Sequence, residues 1–188
     1  MKNSILCRRM FLKSSAIFAA TLLGAKSAFA KMVDHEALPE GKLSLYNTNN
    51  RERLTVTYRN SLGEYCEDAL HAINWALRCH ITNETTKMDV RVLEYLNRLD
   101  NSLGGGNEIH IISGYRSPAY NRRLRSLSKG VAKHSLHMKG MAIDLAIPGI
   151  GLDQIKRTAR ALAADGVGYY PQGGFVHIDS GGFRAWQG

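Results

Sequence analysis

From Met141 to Ile147 the chain alternates without interruption. Met141, Ile143, Leu145 and Ile147 point one way, and Ala142, Asp144 and Ala146 point the other. The pattern predicts a strand with one greasy face and one small-residue face that carries a single carboxylate, with room around it. Upstream lies Ser135-x-His137-x-x-Gly140-x-Ala142-x-Asp144, and downstream Phe175-Val176-His177-Ile178-Asp179. Gly140 allows close backbone approach between the first two candidates. Two histidines and one acid are the donor set of a catalytic zinc site, which takes three protein ligands and keeps a fourth position open for water. Taken singly, His137 and Asp144 read as surface or capping residues and His177 as a buried histidine bonded to backbone. Only the joint pattern points to a metal. Asp179, two residues after His177, shares its face and has two open roles: orienting a ligand histidine or acting as general base.

The remaining segments supply a scaffold. Leu43–Tyr46 and Leu54–Tyr58 alternate in period two around the Asn-rich stretch 47–51, a hairpin signal. Glu67–Leu77 has helical spacing. Asp89 is placed to cap a second helix through Leu103, which Gly104-Gly105-Gly106 ends. Ile109–Ser113 reads as a strand, Asn121–Leu127 as a short basic helix, 129–134 as a polar loop and Leu152–Ala164 as a helix. Gly166–Tyr169 and Phe175–Ile178 complete the sheet. Hairpins mix with helices without a βαβ rhythm, so the expected class is α+β: a small antiparallel sheet with flanking helices and the zinc site on the sheet.

The first thirty residues read as an export signal. Lys2, Arg8, Arg9 and Lys13 precede an apolar stretch, and Ala28-Phe29-Ala30 is a small-x-small cleavage site. Arg8-Arg9-Met10-Phe11-Leu12-Lys13 fits the twin-arginine pattern of Tat signals. The apolar stretch falls short of the roughly 20 residues that span a bilayer, so no transmembrane anchor is expected after signal removal. Residues 31–42 read as a loose leader and 43–188 as one domain. Taking the signal's five cations from the net +9 leaves +4. That mild positive balance suits anionic cell-wall polymer, and no nucleic-acid motif accompanies it. Cys66 and Cys79 flank the first helix, whose ends lie about 20 Å apart at ~1.5 Å per residue, so no disulfide is expected between them.

Ser-Gly-Tyr-Arg-Ser-Pro (113–118), Ser-Leu-His-Met-Lys-Gly-Met-Ala-Ile-Asp (135–144) and Gly-Val-Gly-Tyr-Tyr-Pro (166–171) through His177 resemble the zinc D-Ala-D-Ala carboxypeptidase and lysostaphin-type metallopeptidase superfamily, with Hedgehog domains as distant relatives. Within it the likeness is nearest to exported murein endopeptidases and covers about residues 43–186. The resemblance implies a Hedgehog/D-Ala-D-Ala-peptidase-like fold. It makes His137, Asp144 and His177 ligands of Zn2+, and Arg116 the residue that holds a substrate carboxylate or the developing oxyanion. Many relatives carry an acid or histidine just before the third ligand; here those positions are Gly174 and Phe175, which take no proton. Asp179 is the first candidate for general base and His134 the second.

The expected function is therefore a periplasmic endopeptidase that hydrolyses the peptide cross-links of peptidoglycan by a zinc-activated water, working as a monomer. The alternatives are a D-Ala-D-Ala carboxypeptidase and a zinc-bearing cell-wall binding module without activity. Ser113, Tyr115, Asn121, Tyr169, Tyr170 and Trp186 are read as supporting residues, and Arg122-Arg123-Leu124-Arg125 as a solvated helix face.

Overall fold

The computed structural model describes residues 4–5, 39–128, 130–162 and 166–188. Apart from Ser4–Ile5 the expected signal lies outside the described residues, as does the leader before Pro39. Eight strands form one sheet: β1 (Ser4–Ile5), β2 (Gly41–Asn47), β3 (Glu52–Arg59), β4 (Glu108–Ser113), β5 (Ala142–Ala146), β6 (Gly166–Tyr170), β7 (Phe175–Asp179) and β8 (Arg184–Gln187). Their order is β1-β3-β2-β4-β5-β7-β6-β8. Ser4–Ile5 belongs to the expected signal, so the seven strands from Gly41 to Gln187 make up the sheet of the domain. The helices are α1 (Glu67–Ala76), α2 (Val90–Ser102), α3 (Pro118–Leu127) and α4 (Leu152–Ala161).

The class is α+β, but the sheet is mixed and not the small antiparallel sheet expected. β2 runs parallel to β4, and β6 parallel to β8. The first parallel pair arises because α1 and α2 both lie between β3 and β4, and a crossover of that length can return the chain beside β2 in the same direction. The second arises because the turn at 180–183 carries the chain past β6, so that β8 pairs on its far side. β2 begins at Gly41, inside the segment read as leader.

The expected hairpin is β2–β3, with Leu45 opposite Leu54 and Leu43 opposite Val56. Inward-facing residues of the central strands are fully buried: Leu43, Ile109, Ile111, Ile143, Leu145, Val176 and Ile178. Burying such side chains is worth roughly 1.5–3 kcal/mol each. Ile73 of α1, Leu93 and Leu96 of α2 and Ile155 of α4 join the same core. Asp89 caps α2 as its spacing predicts, its carboxylate accepting from the Arg91 amide at 3.0 Å. Tyr95 ties α2 to α4 through its hydroxyl, 2.9 Å from the Ala159 carbonyl. α3 stands apart from this core and buries only Asn121. Cys79 is a buried free thiol, so it is not bridged to Cys66.

The sequence reading lacked β8 and also a 3-10 turn at Leu136–Lys139, immediately before β5. Gly140 ends it at φ 66°. A Cβ there would lie 2.7 Å from the Lys87 carbonyl and 2.8 Å from Thr86 Cγ2, and the Gly140 carbonyl accepts from the Asp89 amide at 2.9 Å. The close approach at Gly140 is thus to the segment 86–89 and not between His137 and Asp144. It seats the turn against the N-terminus of α2.

Gly149 also has positive φ, 82°, but open space where its Cβ would be. We expect Gly149→Ala to cost about 1 kcal/mol for the left-handed backbone alone. Gly140→Ala should cost clearly more in urea unfolding, because a backbone oxygen must also shift. Equal costs would contradict the seating described.

Candidate metal centre

Four strand pairings line up five residues across one face of the sheet. Ser113 on β4 lies opposite Asp144 on β5, Asp144 opposite His177 on β7, His177 opposite Gly168 on β6, and Gly168 opposite Trp186 on β8. Directly paired residues share a face, so strand register alone brings Asp144 and His177 together. His137 joins them from the 3-10 turn. Asp144 Oδ1 lies 2.7 Å from His177 Nδ1 and 3.3 Å from His137 Nε2, and the two ring nitrogens are 3.2 Å apart. All three side chains are buried. Among the described residues they are the one group of three such side chains whose donor atoms converge.

The hydrogen bonds on the far side of each ring determine which nitrogens face this point. His137 Nδ1 lies 2.8 Å from the Gly114 carbonyl, which only accepts, so that nitrogen carries the proton and Nε2 offers its lone pair inward. His177 Nε2 lies 2.9 Å from Asp179 Oδ2, so it donates outward and Nδ1 faces Asp144. When both rings are neutral three acceptors meet here, and positive charge, a proton on His177 Nδ1 or a metal ion in its place, is what satisfies them. Ligand bonds of about 2.0–2.1 Å in a tetrahedron place donor atoms roughly 3.3 Å apart. The 3.2 and 3.3 Å separations match that edge, and the shorter 2.7 Å between Asp144 and His177 is a hydrogen bond that a bound ion would replace. The donor set and its spacing fit a divalent metal.

The electrostatics follow from this crowding. Burial pushes Asp144 up, but the two imidazoles outweigh it and hold the carboxyl below its usual range. Burial lowers His137, with Asp144 opposing. Burial also acts to lower His177, yet Asp144 and Asp179 on opposite ring edges raise it to about 9.

Asp179 is fully buried. Its Oδ1 accepts from the Gly181 amide at 2.8 Å, and the Arg184 guanidinium grips both oxygens at 3.0 and 2.7 Å. It sits across the His177 ring from the convergence point, the geometry of the orienting role rather than the base role. His134 is exposed and lines the cleft above the site.

Arg116 lies within the same cleft, its Nη2 3.6 Å from Asp144 Oδ2 and 3.4 Å from Ser113 Oγ. Its Nε is buried without a partner, so the guanidinium keeps donor capacity unspent. The Arg116 amide donates to the His137 carbonyl at 3.2 Å, and the Tyr115 amide to the Leu77 carbonyl at 2.7 Å. A Cβ on Gly114 would meet that Leu77 oxygen at 2.5 Å.

The cleft encloses about 490 Å³. One wall is aromatic: Tyr170 stacks on Phe175 with ring centroids 4.6 Å apart, and Trp186 donates to the Tyr170 hydroxyl at 2.8 Å. The other wall is the loop that carries His134, tied to α3 where Asn121 Nδ2 reaches the Ala132 carbonyl at 3.1 Å. Tyr169 lies instead under Lys156, 4.3 Å from its ammonium. A larger cavity, about 610 Å³, lies beside α1 around Trp75 and His71. It holds no converging donor set and is not the candidate centre. Sequence reasoning missed Arg184, and it read Trp186 only as a supporting residue. The paired glycines of Gly166-Val167-Gly168 were the available signal, since bare positions on a strand mark close approach by a neighbour.

A sheet that presents two histidines and an aspartate in a cleft, with an arginine beside them, defines a hydrolase-like centre of metallopeptidase type. The chain belongs to the family described as Peptidoglycan L,D-endopeptidase MepK, whose profile matches residues 36–186. It is 40% identical over 144 residues to the peptidoglycan L,D-endopeptidase MepK of Escherichia coli K12, covering 77% of this chain and 79% of that protein. The protein of the same name from Shigella flexneri matches equally. A probable peptidoglycan L,D-endopeptidase MepK of Haemophilus influenzae is 39% identical over 147 residues, 78% of each chain.

In the metal-free protein, His177 should stay doubly protonated through neutral pH and lose its proton as pH rises past about 9, while His137 stays neutral. Ring-nitrogen NMR reads both directly. A divalent cation must displace the His177 proton, so its affinity should strengthen with pH and level off above about 9. A His177 ring already neutral at pH 7 would show that the two flanking carboxylates do not outweigh its burial.

Proposed function

We propose that this protein is a metal-dependent peptidoglycan endopeptidase, exported to the periplasm by a twin-arginine signal, that cleaves peptide cross-links of the wall. The convergence of His137 Nε2, His177 Nδ1 and Asp144 Oδ1 carries the metal-dependent part of this reading. Membership of a family named for L,D-endopeptidase activity on peptidoglycan supports the substrate. Among the described residues no helix is long and apolar enough to cross a membrane.

His137, Asp144 and His177 would hold the ion, for which the donor set suits zinc. When bound, it supplies a Lewis acid that polarises an amide carbonyl and acidifies water near neutral pH. The protein's own groups do the rest. Asp179 fixes the His177 ring and its tautomer. Arg116, with donors unspent beside Asp144, offsets negative charge on the tetrahedral intermediate or grips a substrate carboxylate. His134 is the base: it lines the cleft and is exposed, whereas Asp179 is fully buried and committed to Arg184. The aromatic wall of Tyr170, Phe175 and Trp186 shields one side of the reacting bond.

Digestion of isolated sacculi tests this, with products followed by mass spectrometry. Cross-linked dimers should fall to monomers, a chelator should stop the reaction, and zinc should restore it. His137→Ala should abolish turnover. Arg116→Ala should lower kcat about 10²–10³-fold, the scale of losing one oxyanion donor. Release of a lone terminal D-Ala would instead make the protein a carboxypeptidase, and intact sacculi a binding module.

His134→Gln should lower kcat about 10²–10⁴-fold while leaving zinc content intact. Full activity in that variant would remove His134 as base.

A further inference from the structure

β6 is bare on the face that carries the site. Gly166 and Gly168 are its positions there, and each lies between partners on β7 and β8: Gly166 between Asp179 and Arg184, Gly168 between His177 and Trp186. β7 and β8 are separated by one strand, roughly 9–10 Å. Side chains from the two strands nonetheless meet over the gap. Arg184 reaches Asp179 with a two-pronged grip, and the Trp186 ring stands 5.2 Å from the His177 ring. Both crossings depend on glycine. A Cβ at 166 would lie 2.4 Å from Asp179 Oδ2, and one at 168 would lie 2.7 Å from the Trp186 indole.

We propose that Arg184 is a positioning residue of the metal centre, acting through Asp179 on His177 across the glycine gap of β6; the proposal rests on the metal-centre reading above. Asp179 carries a buried charge, and its oxygens must be held for the His177 Nε2–H to have a fixed target. Arg184 Nη1 spans Asp179 Oδ1 and the Gly182 carbonyl, both at 3.0 Å, and Nη2 closes on Oδ2 at 2.7 Å. That fork fixes the carboxylate's rotation as well as its charge, which an ammonium cannot do. With the carboxylate fixed, the imidazole keeps its orientation, with Nδ1 turned toward Asp144. The chain Arg184–Asp179–His177 thus extends the metal site by two shells, out to a strand at the edge of the sheet.

Zinc affinity, measured by competition with a chromogenic chelator, tests this apart from turnover. Arg184→Gln should weaken zinc binding about 10–100-fold, the usual effect of losing an outer partner. Arg184→Lys should fall between it and the native protein. Gly166→Ala should weaken binding comparably although residue 166 contributes no donor, and Arg123→Gln, on the solvated face of α3, should leave it unchanged. Activity of Arg184→Gln should drop at limiting zinc and recover in excess zinc with KM unaltered. Native affinity in a folded Arg184→Gln protein overturns the proposal, as does a raised KM with native affinity, which would make Arg184 a substrate contact. Should Gly166→Ala fail to fold, the Arg184 pair decides alone. If the native protein binds no zinc, the metal-centre reading falls as well; if only the variants match it, that reading stands and this one does not.

Discussion

Three donor atoms converging on one buried point are the constraint around which this structure is arranged. Two imidazole nitrogens and a carboxylate oxygen within 3.3 Å of one another form an unfavourable cluster unless positive charge sits among them. Nothing in the apolar core requires that arrangement. The core would be as well buried with small apolar residues in those places, so the cost is borne for chemistry and not for folding. The surrounding contacts can be understood as devices that stop the cluster from relaxing. The Gly114 carbonyl fixes one ring, Asp179 fixes the other, and strand register fixes the acid.

The cluster also explains features of the fold that packing alone leaves arbitrary. A strand with glycine at two successive positions on one face gives up side-chain burial there and weakens its own intrinsic preference. β6 does so at Gly166 and Gly168, and the room is used by Asp179 and Trp186. The parallel edge strand β8 adds little to the core, since its residues are exposed or half-buried. Its contribution is the pair Arg184 and Trp186 pointing inward over the gap. The 3-10 turn before β5 is likewise a placement device. It ends at a left-handed glycine pressed against the start of α2, which ties His137 to a helix packed into the core.

What could be read from the sequence was whatever local periodicity encodes. The alternation in 141–147 placed Asp144 on a strand and on its small-residue face, and the spacing from Asp89 to the triple glycine bounded α2 to within a residue or two. The His–Asp–His set was legible because its residue types are costly to bury for any other reason. The parallel pairings were not legible. Strand direction depends on where a long crossover or a short reversal returns the chain, and neither the α1–α2 segment nor 180–183 carries a periodic signal for that. Asp179 was visible as a same-face neighbour of His177, but which side of the ring it occupies is a matter of rotamer and of Arg184, which lies on a strand the pattern did not reveal.

The departure at Gly174 and Phe175 has a structural consequence for where a base can come from. Phe175 is stacked on Tyr170, and Tyr170 accepts from Trp186. The positions that hold an acid or histidine in many relatives are thus built into an aromatic wall and a tight turn at φ 71°. In the proposed mechanism the proton acceptor comes from the opposite wall, where the loop at 130–135 carries His134 and is tied to α3 by Asn121. Ligands on a rigid sheet and the proposed base on a loop divide the labour unequally. The converging donors are preorganised, while among the described residues the proposed base sits on a loop tied to α3 through Asn121. On the proposed reading, a substrate seated in the cleft meets the converging donors on the sheet side and the His134 loop on the other.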